Sequence, residues 1–156
     1  MYGVIKIMSE TASLSPRYFC HHRIVRFGEC DPARVAYYPE FFNWFHQAME
    51  ACFEEYLEVP YAQMIETVGF PAVQTSAEFR SPIPIGSTIA VEVCIERLGR
   101  SSIEWRFNIW RDSHLSAIGR VKTVCISVTG GTFQFASTPV PSQLIPKLKT
   151  LVIENH

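Results

Sequence analysis

Residues 27–57 read FGECDPARVAYYPEFFNWFHQAMEACFEEYL, and this stretch decides the fold. Its second part contains no glycine or proline between Pro39 and Leu57. Apolar residues recur there at helical spacing, at Phe41, Phe45, Ala48, Met49, Cys52, Phe53 and Tyr56. This periodicity predicts one long helix from Pro39 to Leu57, because a helix tolerates proline in its first turn. Two further aromatic residues, Phe42 and Trp44, widen the apolar stripe and predict a helix wrapped by the rest of the chain.

A carboxylate lies just upstream of this helix, at Asp31 in a polar loop. Aspartate before proline commonly begins a turn, so Asp31 needs no chemical role on local grounds. An acid close to the free N–H groups of a helix start is also a possible reaction site, because those groups polarise a carbonyl. Local sequence favours the turn reading over the catalytic one.

The remainder of the chain changes to the two-residue period of strands. Val91 and Val93 alternate with Glu92 and Cys94, and the next segment alternates in the same way. Strands are predicted over residues 18–27, 72–80, 88–98, 102–111 and 115–129, with short helical pieces at 60–68 and 142–152. Short connections predict antiparallel neighbours. The predicted fold class is α+β, an antiparallel sheet curled around a central helix.

Composition limits the kind of protein this is. A length of 156 residues with 47% apolar residues fits one domain, predicted over residues 17–156 behind a flexible extension of residues 1–16. The net charge of -1 argues against a nucleic-acid partner. No segment has the length of a membrane span or the pattern of a signal peptide, and five scattered cysteines fit a reducing compartment. The predicted location is therefore cytoplasmic, without a membrane partner.

One run of residues resembles a known family. Residues 27–33, read with Tyr37, Tyr38, Pro39 and residues 40–44, are similar to the signature of the 4-hydroxybenzoyl-CoA thioesterase family, which has the hotdog fold. The likeness covers most of residues 20–130, and its loop motif is the specific part. The resemblance implies hydrolysis of an acyl-CoA thioester by a hotdog domain, in which an antiparallel sheet wraps a long α-helix.

The resemblance also implies roles for individual residues. Asp31 takes the position of the catalytic carboxylate, and the backbone N–H of Tyr38 that of the group that polarises the thioester oxygen. The implied substrate contacts are Pro39, Trp44 and His46, and the implied coenzyme A contacts are Arg97, Arg100 and Ser101. Coenzyme A is part of the substrate, so no separate cofactor and no metal are expected. The family assembles as homodimers and homotetramers with active sites at subunit interfaces.

Two residues depart from the family pattern. Arg34 replaces the glycine that usually follows Pro-Ala, and His46 replaces an aspartate that contacts the phenolic hydroxyl of the hydroxybenzoyl substrate. The second departure argues against 4-hydroxybenzoyl-CoA itself as the substrate, but not against hydrolysis of a thioester. Beside Asp31, Glu29 is predicted to be a solvated charge or structural acceptor, and Cys30 a small buried residue.

Several alternatives stay open at this point. A carboxylate either attacks a thioester directly or deprotonates a water molecule, and sequence does not separate these roles for Asp31. A second hypothesis is an acyl-CoA-binding protein of the same fold without turnover. A third is a hotdog dehydratase, which is the weaker one because His46 has no evident place in the histidine–carboxylate motif of such enzymes.

Overall fold

The computed structural model describes residues 18–153, within which it has eight strands and three α-helices. The strands are β1 (Phe19–Ile24), β2 (Val68–Gly69), β3 (Ala72–Phe79), β4 (Thr88–Leu98), β5 (Ser102–Arg111), β6 (His114–Val124), β7 (Ile126–Thr129) and β8 (Thr132–Ser137). The helices are α1 (Tyr38–Ala51), α2 (Tyr61–Met64) and α3 (Ile145–Thr150). The extension predicted at residues 1–16 lies outside the described range. None of these helices has the length and apolar character that crossing a membrane requires.

The main sheet has five antiparallel strands in the order β1-β4-β5-β6-β3. The prediction that consecutive strands pair is confirmed for β4 with β5 and β5 with β6, but it is wrong for β3 and β4. Strand β3 pairs with β6 at the far edge, so residues 80–87 cross the end of the sheet. Pro82 and Pro84 keep this segment out of the sheet, which leaves it free to cross.

The last predicted strand, residues 115–129, divides at Cys125. The Cys125 N–H donates to Ser101 O at 2.7 Å, and Cys125 O accepts from Thr138 N at 2.8 Å, so this residue leaves the pairing of the main sheet. Strand β7 then joins a second sheet in the order β2-β7-β8. A strand pattern that continues without a turn residue cannot reveal such a change of partner, because both strands need the same residue types.

Helix α1 packs on one face of the main sheet, and the alternation predicted for the strands is confirmed. The sheet residues in the core are Ile89, Val91, Val93, Ile95, Ile103, Trp105, Phe107 and Ile109. From the helix side, Phe41, Trp44, Phe45, Ala48 and Met49 are buried, whereas His46 and Gln47 are exposed. The predicted sheet around a long helix is thus confirmed, with His46 and Gln47 exposed on the side of the helix that faces away from the sheet.

The C-terminal end of the predicted long helix has a wider turn. Residues Cys52–Tyr56 are π-helical, with the Leu57 N–H donating to Cys52 O at 2.9 Å. Glu58 then has a left-handed backbone (φ 59°), a conformation that commonly ends a helix. The helix thus ends close to the predicted Leu57. Cys52, Phe53 and Leu57 stay buried through this wider turn.

Gly119 in β6 marks the closest approach of helix and sheet. A Cβ built at this position would lie 2.3 Å from two ring atoms of Phe45, whose ring stacks on Phe107 at 5.1 Å. We expect Gly119→Ala to lower the free energy of unfolding by about 1–3 kcal/mol, because the Phe45 ring must move within a packed core. Urea unfolding measures this change. The matched control is Gly28→Ala, where a Cβ meets nothing within 4 Å; equal stability losses in both variants would contradict the packing assigned to Gly119.

Candidate active site

The loop that carries Asp31 is a tight hairpin leading into α1. Its two arms pair through Cys30 with Ala36, and the Tyr37 N–H donates to Glu29 O at 2.8 Å. At the tip, Asp31 N donates to Val35 O and Arg34 N donates to Asp31 O, both at 2.9 Å. Residues 80–87 hold the hairpin from outside, since Ile83 O accepts from Ala36 N at 2.8 Å. The loop is therefore defined by backbone hydrogen bonds on both sides.

The Asp31 carboxylate is held in one orientation. Its Oδ1 accepts a hydrogen bond from the Ala33 N–H at 2.8 Å, and the residue is half-buried. This is the aspartate turn that local sequence predicts. Oδ2 has no hydrogen-bond donor among residues 18–153 in this structure. One oxygen thus fixes the carboxylate, and the other is unpaired within the described residues.

Arg34 stands where the hairpin needs a left-handed backbone. Its φ is 66°, and its N–H closes the turn formed by residues 31–34. A turn followed by a left-handed residue is a common three-residue hairpin connection, and glycine is the residue that adopts it most easily. This explains the glycine of the family pattern. The arginine adopts the left-handed conformation that glycine takes most easily, and it adds an exposed positive charge beside Asp31.

We expect substitutions at Arg34 to separate backbone conformation from charge. Arg34→Gly should change the free energy of unfolding by less than about 1 kcal/mol, because relief of the left-handed strain is offset by the greater freedom of unfolded glycine. Arg34→Val should destabilise the protein by about 1–2 kcal/mol, since β-branched residues tolerate this region poorly. Chemical denaturation measures both values. Equal stability of the glycine and valine variants would contradict the conformation assigned to this position.

Glu29 anchors the hairpin to β1 and to α1. Its Oε1 pairs with the Arg23 guanidinium and accepts from Trp44 Nε1 at 3.0 Å, while Oε2 accepts from the Arg26 N–H at 2.7 Å. Burial by itself raises the pKa of this carboxyl, but the Arg26 N–H, the Trp44 indole and the Arg23 guanidinium outweigh it and hold the pKa below its usual value. Glu29 is a structural acceptor, as one of the two sequence-based readings proposed.

Trp44 and Cys30 both have structural roles. Trp44 is fully buried, donates to Glu29, and lies under the Arg23 guanidinium, whose central carbon is 5.0 Å from the ring centroid. Cys30 is half-buried, and this burial together with the charges of Glu29 and Asp31 raises the pKa of its thiol. A protonated thiol is a poor nucleophile. In this structure Trp44 supports the hairpin from behind, and its assignment as a substrate contact stays a prediction.

The start of α1 presents a free backbone donor. The Tyr38 N–H has no acceptor among residues 18–153, whereas the N–H groups of the preceding Ala36 and Tyr37 are both paired. The Tyr38 side chain is exposed, and Pro39 behind it has no N–H to offer. The first N–H groups of a helix carry partial positive charge and favour a negative oxygen. Tyr38 N is thus positioned to receive a hydrogen-bond acceptor from outside the helix.

An apolar cavity of about 600 Å³ lies farther along the same helix, between α1 and the two sheets. We call it the apolar cavity and define it by its lining. Its interior is formed by Phe45, Met49, Gly69, Phe70, Phe107, Val121, Thr123 and Ile126. Its rim is formed by Phe42, His46, Tyr61, Ile65, Pro71, Ala72, Thr75, Phe133 and Phe135. A concave apolar site of this size falls within the range that binds drug-sized ligands, about 300–1,000 Å³.

His46 is the one predicted substrate contact that lines the apolar cavity. Its Nε2 lies 2.9 Å from Glu50 Oε1, one helical turn on, and its ring meets the edge of Tyr61 at 5.7 Å. The side chain is half-exposed at the rim. Asp31, Tyr38, Pro39 and Trp44 do not line the cavity. The predicted residues therefore divide between the helix start and the cavity rim.

The predicted coenzyme A contacts lie elsewhere in the protomer. Arg97, Arg100 and Ser101 surround the turn between β4 and β5, and both arginines are exposed. The Asp31 hairpin contacts the segment that enters the other end of β4, since Ile85 N donates to Arg34 O at 3.0 Å. The length of β4 separates the two places by about 30 Å. One protomer does not bring these arginines to Asp31.

Sequence reasoning missed the aromatic walls of the apolar cavity. None of Phe70, Phe107, Phe133 and Phe135 was predicted to contact a ligand. The available signal was the spacing of Phe133 and Phe135 on one face of a strand after Gly130-Gly131, with neighbours that are polar or small. Such a strand buries nothing in the main sheet, so its phenylalanines need another surface. A cavity between two sheets cannot be located without knowing that the sheets are separate.

The fold and the hairpin-to-helix site define a class of protein, the hotdog thioesterases. The sequence profile described as the thioesterase-like superfamily matches residues 25–148, and the chain belongs to this family. The predicted fold and enzyme class are thereby confirmed at the level of the family.

Relatives with similar sequences and similar solved structures agree with this family assignment. The chain is 30% identical over 124 residues to a 1,4-dihydroxy-2-naphthoyl-CoA hydrolase of Prochlorococcus marinus (strain NATL2A), covering 72% of this chain and 79% of the relative. It is 28% identical over 90 residues to the 4-hydroxybenzoyl-CoA thioesterase of Pseudomonas sp. (strain CBS-3), covering 56% and 64%. The crystal structure of a thioesterase-superfamily protein from Jannaschia sp. CCS1 superposes with a TM-score of 0.77 at 26% identity, covering 95% of this chain and all of that one.

Proposed function

We propose that this protein hydrolyses an acyl-CoA thioester with an aromatic or medium-length apolar acyl group, releasing the free acid and coenzyme A. The observation that carries the proposal is the hairpin that joins the oriented Asp31 carboxylate to the unpaired Tyr38 N–H at the start of α1. The relatives with naphthoyl-CoA and hydroxybenzoyl-CoA in their names support the substrate class. The acid and the amide supply the reaction, so it needs no cofactor or metal beyond the coenzyme A of the substrate.

The chemistry follows from the two groups. The thioester carbonyl oxygen accepts a hydrogen bond from Tyr38 N, where the partial positive charge of the helix start stabilises the negative charge that develops on attack. The loss of one such donor typically costs about 10²–10³ in rate. The leaving coenzyme A thiolate is stable in water. The acid therefore has to supply only the attacking oxygen.

Asp31 can supply that oxygen by two routes. As a nucleophile, Oδ2 bonds to the carbonyl carbon while the carbon–sulfur bond breaks, and water then hydrolyses the mixed anhydride to return the carboxylate. As a general base, Oδ2 takes a proton from a water molecule whose oxygen attacks the carbon. A single turnover in ¹⁸O-water can demonstrate the nucleophilic route. The peptide containing Asp31 gains ¹⁸O if the anhydride is attacked at the aspartyl carbonyl, whereas the general-base route leaves the peptide unlabelled.

We also propose a homodimer, within which Arg97, Arg100 and Ser101 bind the coenzyme A held at the Asp31 of the other copy. Strand β3 is an open edge of the main sheet, and all of its residues except Ala77 are exposed. Two such edges paired antiparallel would put the 97–101 turn of one copy at the same end of the joint sheet as the Asp31 hairpin of the other. Arginine suits the phosphates of coenzyme A. A further pairing of dimers would give a homotetramer.

Mixing two impaired variants tests this shared site. We expect co-expressed Asp31→Asn and Arg97→Ala/Arg100→Ala chains to recover about a quarter of the wild-type kcat/KM, because half of random dimers are mixed and each has one intact site. Each variant alone should stay far below that level. Differential tags identify the mixed dimer. No recovery in a purified mixed dimer would contradict a site shared between copies.

The activity test is a panel of acyl-CoAs with detection of the released thiol. We expect turnover of aromatic and medium-length substrates. Binding of these esters without thiol release from any of them would favour the second candidate, an acyl-CoA-binding protein of the same fold. We further propose a cytoplasmic location, supported by the five cysteines, all of which are free although three are buried.

A further inference from the structure

The apolar cavity is larger than a single aromatic ring requires. It lies along the face of α1 that carries Phe42, Phe45 and Met49, and Tyr38 stands one turn before Phe42 on that face without lining the cavity. With a rise of 1.5 Å per residue, Phe42 is about 6 Å beyond Tyr38 along the helix axis and Met49 about 16 Å beyond it. An acyl group whose carbonyl binds at Tyr38 N must therefore extend about 16 Å to use the whole cavity.

The interior offers almost no polar partner to such a group. Thr123 carries the one buried side-chain hydroxyl of the lining, and its Oγ1 already accepts from Trp105 Nε1 at 3.0 Å. At the rim, His46 Nε2 is likewise engaged, since it is paired with Glu50 Oε1. A hydroxyl or carboxyl deep in this cavity would find few partners in place of its hydrogen bonds to water. The interior thus favours a group without polar substituents.

The outer wall is the hairpin formed by β7 and β8. Phe133 packs over Gly69, where an added Cβ would lie 2.7 Å from the phenylalanine ring. Phe135 is 99% exposed although it stands at the rim of the cavity. A large apolar side chain left in water at the edge of an apolar opening is suited to cover an occupant of that opening. An occupant that reaches the hairpin would remove both side chains from water.

We propose that the apolar cavity binds an elongated, unsubstituted hydrocarbon acyl chain and that Phe133 and Phe135 form its outer wall. This rests on the proposed thioesterase function. At about 1.3 Å of advance per carbon, a path of about 16 Å corresponds to a chain of about a dozen carbons. Each methylene added up to that length should raise kcat/KM by as much as about fourfold, and further carbons should add nothing.

Substrate length is the first test. We would compare butyryl-CoA, octanoyl-CoA, dodecanoyl-CoA, hexadecanoyl-CoA and 4-hydroxybenzoyl-CoA by thiol release. The proposal predicts the highest kcat/KM for dodecanoyl-CoA, at least about 10-fold above 4-hydroxybenzoyl-CoA. In parallel, calorimetry measures binding of free dodecanoate, butyrate and 4-hydroxybenzoate to the wild-type protein, with dodecanoate expected to bind at least about 10-fold more tightly. Preference for 4-hydroxybenzoate and its ester in both assays would overturn the proposal.

Substitutions at the rim of the cavity test whether the cavity sets the preference for acyl-chain length. Phe135→Ala should lower the ratio of dodecanoyl-CoA to butyryl-CoA kcat/KM about 10-fold, whereas Gln134→Ala, on the other face of the same strand, should leave the ratio unchanged. Thr75→Trp at the rim should lower the same ratio, and size-exclusion chromatography confirms that the proposed β3 dimer persists in this variant. An unchanged ratio in both Phe135→Ala and Thr75→Trp would overturn the assignment of the cavity.

Failure of this proposal is distinguishable from failure of the proposed function. Thiol release confined to short or hydroxylated substrates leaves the thioesterase in place and removes the long-chain cavity. Tight dodecanoate binding that Thr75→Trp abolishes, without thiol release from any ester, keeps the cavity and removes the enzyme.

Discussion

Replacing Asp31 by asparagine is expected to reduce kcat at least about 10³-fold while KM changes little. Asparagine keeps the oxygen that accepts from the Ala33 N–H at 2.8 Å, so the hairpin should retain its shape. It loses the negative charge that either attacks the thioester or takes a proton from water. Steady-state thiol release with the best substrate of the panel measures the change.

A matched control separates chemistry from general charge effects. Asp112 also begins a tight turn, between β5 and β6, and its side chain is 87% exposed. Asp112→Asn should keep wild-type kcat. If Asp31→Asn retains more than about a tenth of the wild-type kcat, the carboxylate is not the reacting group, and the turn reading of Asp31 becomes sufficient.

The second large effect is expected at Glu29, which should matter for stability more than any other acid of the site. Glu29→Ala removes the acceptor of the fully buried Trp44 indole and the partner of Arg23. Both side chains of this ion pair are mostly buried, at 14% and 16% exposed, and removing one partner of such a pair costs about 3 kcal/mol. For a domain of this size the melting temperature should fall by about 10 °C.

The control is an ion pair of the same types on the surface. Glu78 pairs with Arg80 at 2.8 Å, but both side chains are about half exposed. Glu78→Ala should therefore change the free energy of unfolding by less than about 1 kcal/mol. Similar losses for Glu29→Ala and Glu78→Ala in urea unfolding would contradict the anchoring role of Glu29.

The contribution of Glu29 should also depend on pH. Its pKa is lower in the folded protein than the usual value of 4.5, so the folded state favours the ionised form. Such a contribution is fully present above pH 4.5 and is lost as the pH falls through the folded pKa. The stability difference between wild type and Glu29→Gln should thus be largest near neutral pH and shrink below pH 4.5. A difference that grows in acid would contradict the assigned donors.

Local pattern predicts this fold where neighbours in sequence are neighbours in space. The alternation in β4 and β5 placed Ile89, Val93, Trp105 and Phe107 on the buried face, and helical spacing located α1. Pairing of β3 with β6 could not be predicted in this way, because the connection over residues 80–87 carries no signal for its destination. The change of sheet at Cys125 was hidden for the same reason.

The candidate site could likewise be predicted from the sequence only in part. The hairpin and helix start lie close together in sequence, so Asp31 and the Tyr38 N–H could be named from sequence and family resemblance, and their roles stay predictions. The support from Glu29, Arg23 and Trp44 joins three elements and becomes visible only in the folded chain. The apolar cavity depends on β8 and α1 lining the same space. Short-range patterns do not encode that arrangement.

The most direct test of the proposed mechanism is a crystal structure of Asp31→Asn with a bound acyl-CoA ester. We expect the thioester oxygen about 2.7–3.1 Å from Tyr38 N and the carbonyl carbon within about 3.5 Å of the substituted side chain, at a subunit interface. A thioester bound away from the start of α1, with Tyr38 N still unpaired, would contradict it.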